Sequence, residues 1–318
     1  MKYRRLGASG VQVSEVCLGS WLTYGGATED AMAETCVDRA YELGINFFDT
    51  ANVYARGKSE EVVGRALKKF PRESYVLATK VFFPMNDGPM PNNQGLSRKH
   101  IMEQCHASLK RLGMDTIDLY QCHRFDPNTP LEETLRALDD LVRQGKVLYV
   151  GFSQWSADQI EQAVGVQEAK GYDRFVSSQP HYNMLGRDLE KQVLPVCEGE
   201  GIGQIVYSPL AQGLLTGKYK PGQPLPADSR AADPRQNMFL NGGKLDNSVL
   251  EKVAKLEPIA AGLGLSMAQL ALAWCLRLKS MSSVIVGASR PSQVEDNAKA
   301  SGVTLSAETL KAIDLALA

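Results

Sequence analysis

The chain has 318 residues, 44% of them apolar and 22% charged, with a formal net charge of -1. That length accommodates one large α/β barrel or two ordinary domains, and the charge balance lacks the basic surplus that marks nucleic-acid binding. No apolar run is long enough to cross a bilayer and no leader pattern follows residues 1–7, so a cytoplasmic chain with six reduced, packing cysteines is expected.

Residues 2–13 alternate around positions 7–10 and predict a small hairpin. Short apolar runs then recur near 16–20, 45–49, 75–81, 117–123, 147–153, 175–180, 203–209 and 282–288, and each reads as a buried strand. Between them lie segments of helical period at 30–43, 58–69, 98–112, 131–143 and 188–197. Thr28 and Ser97 stand as caps before the first and third, which Gly44 and Gly113 close. Strand and helix alternate without a break in composition, which predicts one domain over residues 1–318, a closed (β/α)8 TIM barrel; an open doubly wound sheet is the alternative. A barrel needs only about 250 residues, so two insertions are expected. One is 82–95, with Pro84, Gly88, Pro89 and Pro91. The other is 211–247, with Pro221, Pro224, Pro226, Pro234 and Asn241-Gly242-Gly243. Both follow strands on the face where barrels build their sites.

Four polar residues stand at or just beyond successive strand ends: Asp49 and Tyr54, Lys80, and His123. Strand exits of a parallel barrel share one mouth, so the four make a candidate site. A phenol serves as general acid when its pKa is brought down from about 10. An ammonium at Lys80 would do that, a carboxylate at Asp49 would hold the ammonium charged, and His123 would hydrogen-bond a carbonyl oxygen or relay a proton. Such a set polarises a carbonyl while a hydride arrives at carbon. Each residue alone also has a structural explanation, as loop cap, rim packing or core histidine; their convergence argues for chemistry.

A hydride requires a cofactor, yet no Gly-x-Gly-x-x-Gly follows a strand. Phosphate binding is expected instead at Ser208-Pro209-Leu210-Ala211-Gln212-Gly213 with Lys218 and Arg230, and at residues 286–291, which open a helix beside Arg290. An ordinary Pro-started helix is the alternative there. His100 and His106 share no helix face and Cys122-His123 lacks further ligands, so no metal is expected. A lyase using Lys80 as a Schiff base would need a lysine without a paired acid. Trp21, Tyr24, Phe82, Phe83 and Trp155 follow strand ends and are assigned to an apolar substrate wall, with rim packing as the alternative.

From about residue 2 onward these patterns resemble the aldo-keto reductase family. Residues 44–51 with Tyr54 and Gly57 are similar to its first signature, and Asp49, Tyr54, Lys80 and His123 match its catalytic tetrad. Within the family the likeness is to the branch of potassium-channel β subunits and their bacterial relatives, carried by residues 23–26, 95–100, 153–157 and 270–277. The resemblance implies NADPH-dependent reduction of aldehydes or ketones. It places Gly19, Ser20, Trp21 and Asp49 among the cofactor contacts, Ser153, Gln154 and Gln179 on the nicotinamide carboxamide, and Tyr207 against its ring. Ser208, Pro209, Leu210, Ala211, Gln212, Gly213, Lys218 and Arg230 would follow the phosphates, and Gly287, Ser289, Gln293, Asp296 and Asn297 the adenosine. Channel β subunits carry Asn where this chain keeps His123, which favours turnover. Gly287 and Gln293 stand where other members have Lys and Arg, so NADPH preference rests on Lys218, Arg230 and Arg290. The partners implied are a small-molecule carbonyl and either further copies of the chain or none; an NADP(H)-binding channel subunit with little turnover is the alternative role.

Overall fold

The computed structural model describes residues 1–318 apart from 87, 89, 228, 235, 238, 239, 241 and 242. Pro89, Asn241 and Gly242 of the expected insertions therefore lie outside the described residues. Strands β1 (Tyr3–Arg5) and β2 (Gln12–Ser14) pair antiparallel as the expected hairpin. The next eight are β3 (Val16–Gly19), β4 (Phe47–Asp49), β5 (Val76–Val81), β6 (Ile117–Cys122), β7 (Val147–Phe152), β8 (Phe175–Ser178), β9 (Gly203–Val206) and β10 (Met281–Val286). They pair in parallel in chain order, and β10 closes on β3 with Val284 opposite Val16. The closed barrel holds and the open sheet does not.

The pleat sends alternate side chains to opposite faces. Cys17, Phe47, Val76, Ala78, Leu119, Ile205 and Ile285 form one buried cluster inside the barrel, together with Leu6 and Val13 of the hairpin. The hairpin turn seats against the N-terminal ends of the strands. A Cβ on Gly7, at φ +58°, would lie 2.4 Å from Gly201 O and 2.6 Å from Val176 O. The opposite parity, including Val16, Leu18, Phe48, Leu77, Tyr120, Val150 and Phe152, packs in the layer under the helices, where each large apolar side chain contributes about 1.5–3 kcal/mol. Stepping by two from the interior set, and from Tyr149 of β7 that packs against it, reaches Gly19, Asp49, Lys80, His123, Ser153, Tyr207 and Gly287. Strand alternation alone thus aims these residues at the C-terminal mouth.

The outer layer holds α1 (Asp30–Glu42), α2 (Lys58–Leu67), α3 (Arg98–Leu112), α4 (Leu131–Arg143), α5 (Ala157–Lys170), α6 (Val193–Gly199), α7 (Asn247–Ala254), α8 (Glu257–Gly262), α9 (Met267–Leu276), α10 (Pro291–Ala298) and α11 (Ala307–Leu317). Ser97 caps α3 by accepting from His100 N–H, and Gly113 ends it at φ 66°. Two expectations fail. Glu29, not Thr28, is the N-cap residue of α1, and it makes no side-chain bond; Thr28 instead donates its N–H to Thr23 O in the preceding loop. The helix expected over 188–197 divides into a 3-10 turn, Asp188–Glu190, and α6, because Pro195 is tolerated only in the first turn of a helix. All six cysteines are buried and free. Among the described residues no single helix is long and apolar enough to cross a membrane.

Candidate active site

Lys80 ends the interior row of β5 and is 0% exposed. Its ammonium donates to Asp49 Oδ1 at 2.6 Å, to Thr50 O at 2.8 Å and to Tyr54 Oη at 3.3 Å. The other Asp49 oxygen accepts from Gln179 Nε2 at 2.8 Å and, more weakly, from Gln121 Nε2 at 3.5 Å. Burial pulls the lysine pKa down, but Asp49 and Tyr54 outweigh it and hold the ammonium above its usual value. Lys80 is therefore a fixed cation, which disfavours a Schiff-base role requiring the free amine.

Tyr54 reaches the ammonium from a tight turn, Tyr54–Gly57, in which Ala55 and Arg56 adopt left-handed φ of 47° and 53°. Gly57 permits the turn: at φ +91°, a Cβ there would lie 2.5 Å from Arg111 Cδ. Arg111 is itself fixed, donating at 2.6 Å to buried Glu60, which also accepts from Thr79 Oγ1 at 2.6 Å. A buried ion pair beneath α2 thus props the strained turn that presents the phenol. Burial pushes the Tyr54 pKa up by more than Lys80 takes back. The expected lowering toward neutrality does not occur, because desolvation of the partly buried phenol outweighs the pull of its cation.

The His123 ring stands edge-on to Tyr54, with centroids 5.7 Å apart, and to Phe83 at 5.0 Å. Burial holds its pKa well below the usual histidine range, helped by Lys80 and Arg124. The imidazole is neutral at pH 7, and its Nδ1 has no partner among the described residues. A neutral ring suits hydrogen bonding to a carbonyl oxygen better than it suits proton relay.

Beside this cluster, Ser153 Oγ donates to Gln179 O at 2.7 Å, and Gln154, at φ 60°, donates its amide to Tyr207 Oη. Left-handed backbone recurs after β9, at Ser208, Ala211, Gln212 and Gly213. Arg230 packs on this loop, donating to Gln212 Oε1, and burial lowers its pKa. Among the described residues it meets no carboxylate, and a largely buried guanidinium in that state fits an anionic ligand such as a phosphate.

Residues 15–318 match the Aldo/keto reductase family. The chain belongs to that family. It is 44% identical over 303 residues to a protein of Arabidopsis thaliana named "Probable voltage-gated potassium channel subunit beta", covering 94% of this chain and 91% of that one. A rice protein of the same name is 43% identical over equal shares, and a "Putative voltage-gated potassium channel subunit beta" of Schizosaccharomyces pombe is 43% identical over 98% and 92%.

In this aldo/keto reductase family member, several expected contacts lie elsewhere. Trp155 is 3% exposed and packs among Phe125, Phe152 and Phe175. Tyr24 is equally buried, within the cluster that takes in Cys36 and Val37 of α1. Both pack in the core, as the rim-packing alternative expects, and not on an exposed wall. Asp296, at the foot of α10, accepts from Ser266 Oγ and Gln269 Nε2 of the α9 capping box at 2.9 and 2.7 Å. Ser20 turns into a buried hydroxyl triangle with Thr50 and Ser59, and a Cβ at Gly19 would meet Ile285 at 2.5 Å, so both are shaped by barrel packing. Pro209 and Ala211 are buried and Leu210 packs on the core. Trp21 lies 6.5 Å from Tyr54, and Phe82 stacks edge-on with Phe83, so these three stay at the mouth. Lys218, beside Gly213, Gly287 and Ser289 are exposed, Ser289 N–H donates to Gln293 Oε1 at 2.8 Å, and Asn297 is buried. Sequence reasoning missed Gln121 and Arg124. Gln121 shares the interior parity of Leu119 and His123, which was the available signal.

Proposed function

We propose that this chain reduces aldehydes or ketones to alcohols with NADPH. The observation that carries the reading is the buried Lys80 ammonium joined to both Asp49 and Tyr54, with a neutral His123 ring against the same phenol. NADPH, when bound, supplies a hydride. Tyr54 donates its proton to the carbonyl oxygen as negative charge develops there, and Lys80 stabilises the phenolate left behind. A phenol held above its usual pKa remains a competent donor to an alkoxide, which is far more basic. His123 hydrogen-bonds the same oxygen and orients it. Asp49, held by Gln179 and Gln121, keeps Lys80 charged and in place. Ser153, Gln154, Gln179 and Tyr207 are the residues that would hold the nicotinamide. Lys218 and Arg230, with the left-handed loop at 208–213, would hold the phosphates.

Consumption of NADPH with 4-nitrobenzaldehyde, followed by absorbance, tests this directly: multiple turnovers are expected. The names of the relatives support a second reading, an NADP(H)-binding β subunit of a membrane channel. Tight NADPH binding with no turnover on any aldehyde, and a stable complex with a channel, would favour that reading.

A further inference from the structure

Arg124 follows His123 immediately, at the rim of the site. Its Nη1 donates to His123 O at 2.6 Å and its guanidinium lies 5.4 Å from the centre of the Phe83 ring. Phe83 in turn stands 5.0 Å from the His123 ring. Rings and guanidinium thus run without a break from Tyr54 through His123 and Phe83 to Arg124. Burial sets the direction at all three rings, lowering the His123 pKa and raising those of Tyr54 and Tyr207; the cation lies close enough to add to the first and offset part of the other two.

Its position is rigid. His123 N–H donates to Val81 O at 2.9 Å, and two residues after Arg124 the Asp126 carboxylate accepts from Leu96 N–H, Asn128 N–H and Thr129 Oγ1 at 2.7–2.9 Å. Asp126 is thereby committed to the loop frame and does not answer the arginine. Among the described residues no carboxylate lies within ion-pair distance of Arg124. Of the five N–H donors of a guanidinium, one is taken, by the neighbouring backbone.

We propose that Arg124 is a specificity residue that binds the carboxylate of a carbonyl substrate, so that this site acts on aldehyde or keto acids. The proposal rests on the reductase reading. The carbonyl end lies under Tyr54 and His123, an apolar stem lies along Phe83, and the carboxylate meets the fork of donors. The carbonyl carbon gains the hydride and its oxygen the Tyr54 proton, giving a hydroxy acid and oxidised cofactor.

4-Carboxybenzaldehyde and 4-nitrobenzaldehyde match in shape and differ in charge, so the ratio of their kcat/KM values reads the guanidinium. Arg124→Gln should lower the carboxy-to-nitro ratio by about 10- to 100-fold, and Arg124→Lys should restore part of it. An unchanged ratio in folded Arg124→Gln protein overturns the proposal, as does an equal loss for both aldehydes or a loss confined to NADPH affinity. Calorimetric binding of benzoate and benzamide to the wild-type chain with NADP+ supplies the second measurement. Preference for benzoate supports the proposal even if neither aldehyde is reduced, an outcome that would sink the reductase reading alone; no preference overturns it.

Discussion

Replacing Asp49 by Asn removes the carboxylate facing a lysine that is 0% exposed, at a position itself only 3% exposed. Leaving a buried charge without its partner costs about 3–5 kcal/mol. At roughly 2 °C per kcal/mol for a long chain, Tm should fall by about 6–10 °C. The new amide also offers an N–H toward Gln179 Nε2, which lies 2.8 Å from the carboxylate in the wild type. The pH dependence should reverse. In the wild type the folded pKa of Lys80 lies above the unfolded value near 10.4, so its contribution is complete below that value and is lost as pH rises through the folded one. Without Asp49, burial dominates, the folded pKa drops below the unfolded one, and the variant should gain stability between neutral pH and about pH 10. Thermal melts by circular dichroism across that range measure both effects. The Asp49→Leu, Lys80→Met pair should recover most of the loss, because no buried charge remains. A single variant within about 1 kcal/mol of wild type, with the same pH slope, would refute the claim that Asp49 holds Lys80 charged.

Because burial raises the Tyr54 pKa and lowers that of His123, kcat for carbonyl reduction should be flat from about pH 6 to 9 and fall only as the phenol ionises above about 10. An inflection near neutrality in the rate profile would assign the proton to another group. Arg230→Ala should weaken NADPH by about tenfold or more while changing NADH little, measured by fluorescence titration; equal losses would place Arg230 away from the extra phosphate. Trp155→Ala should cost about 3–5 kcal/mol in urea unfolding with KM for small aldehydes retained. A large KM change without loss of stability would return Trp155 to the substrate wall.

The barrel was legible because β/α repetition and strand parity are local signals: eight apolar runs of the right length fixed eight strands, and stepping by two located Lys80 and His123. Parity fails where the backbone turns left-handed. Gln154, at φ 60°, interrupts the alternation after Ser153 and swings Trp155 out into the helical layer. Leu22, at φ 62°, does the same between Trp21 and buried Tyr24. Neither residue is a glycine, so neither turn announces itself in the sequence. The direction of the Tyr54 pKa was also hidden. It depends on how completely the surrounding loops exclude water, which residue types near Lys80 do not encode. Arg124 was overlooked because its significance lies in what does not face it, a property only three-dimensional placement reveals.

The central claim, that Tyr54 delivers the proton, is tested most directly by single-turnover reduction of 4-nitrobenzaldehyde in wild-type and Tyr54→Phe protein, with NADPH affinity measured on both. Removing a donor used only in the transition state should cut the rate by about 100-fold or more and leave NADPH affinity nearly unchanged. An unchanged rate in the folded, NADPH-bound variant would contradict the mechanism and remove Tyr54 from it.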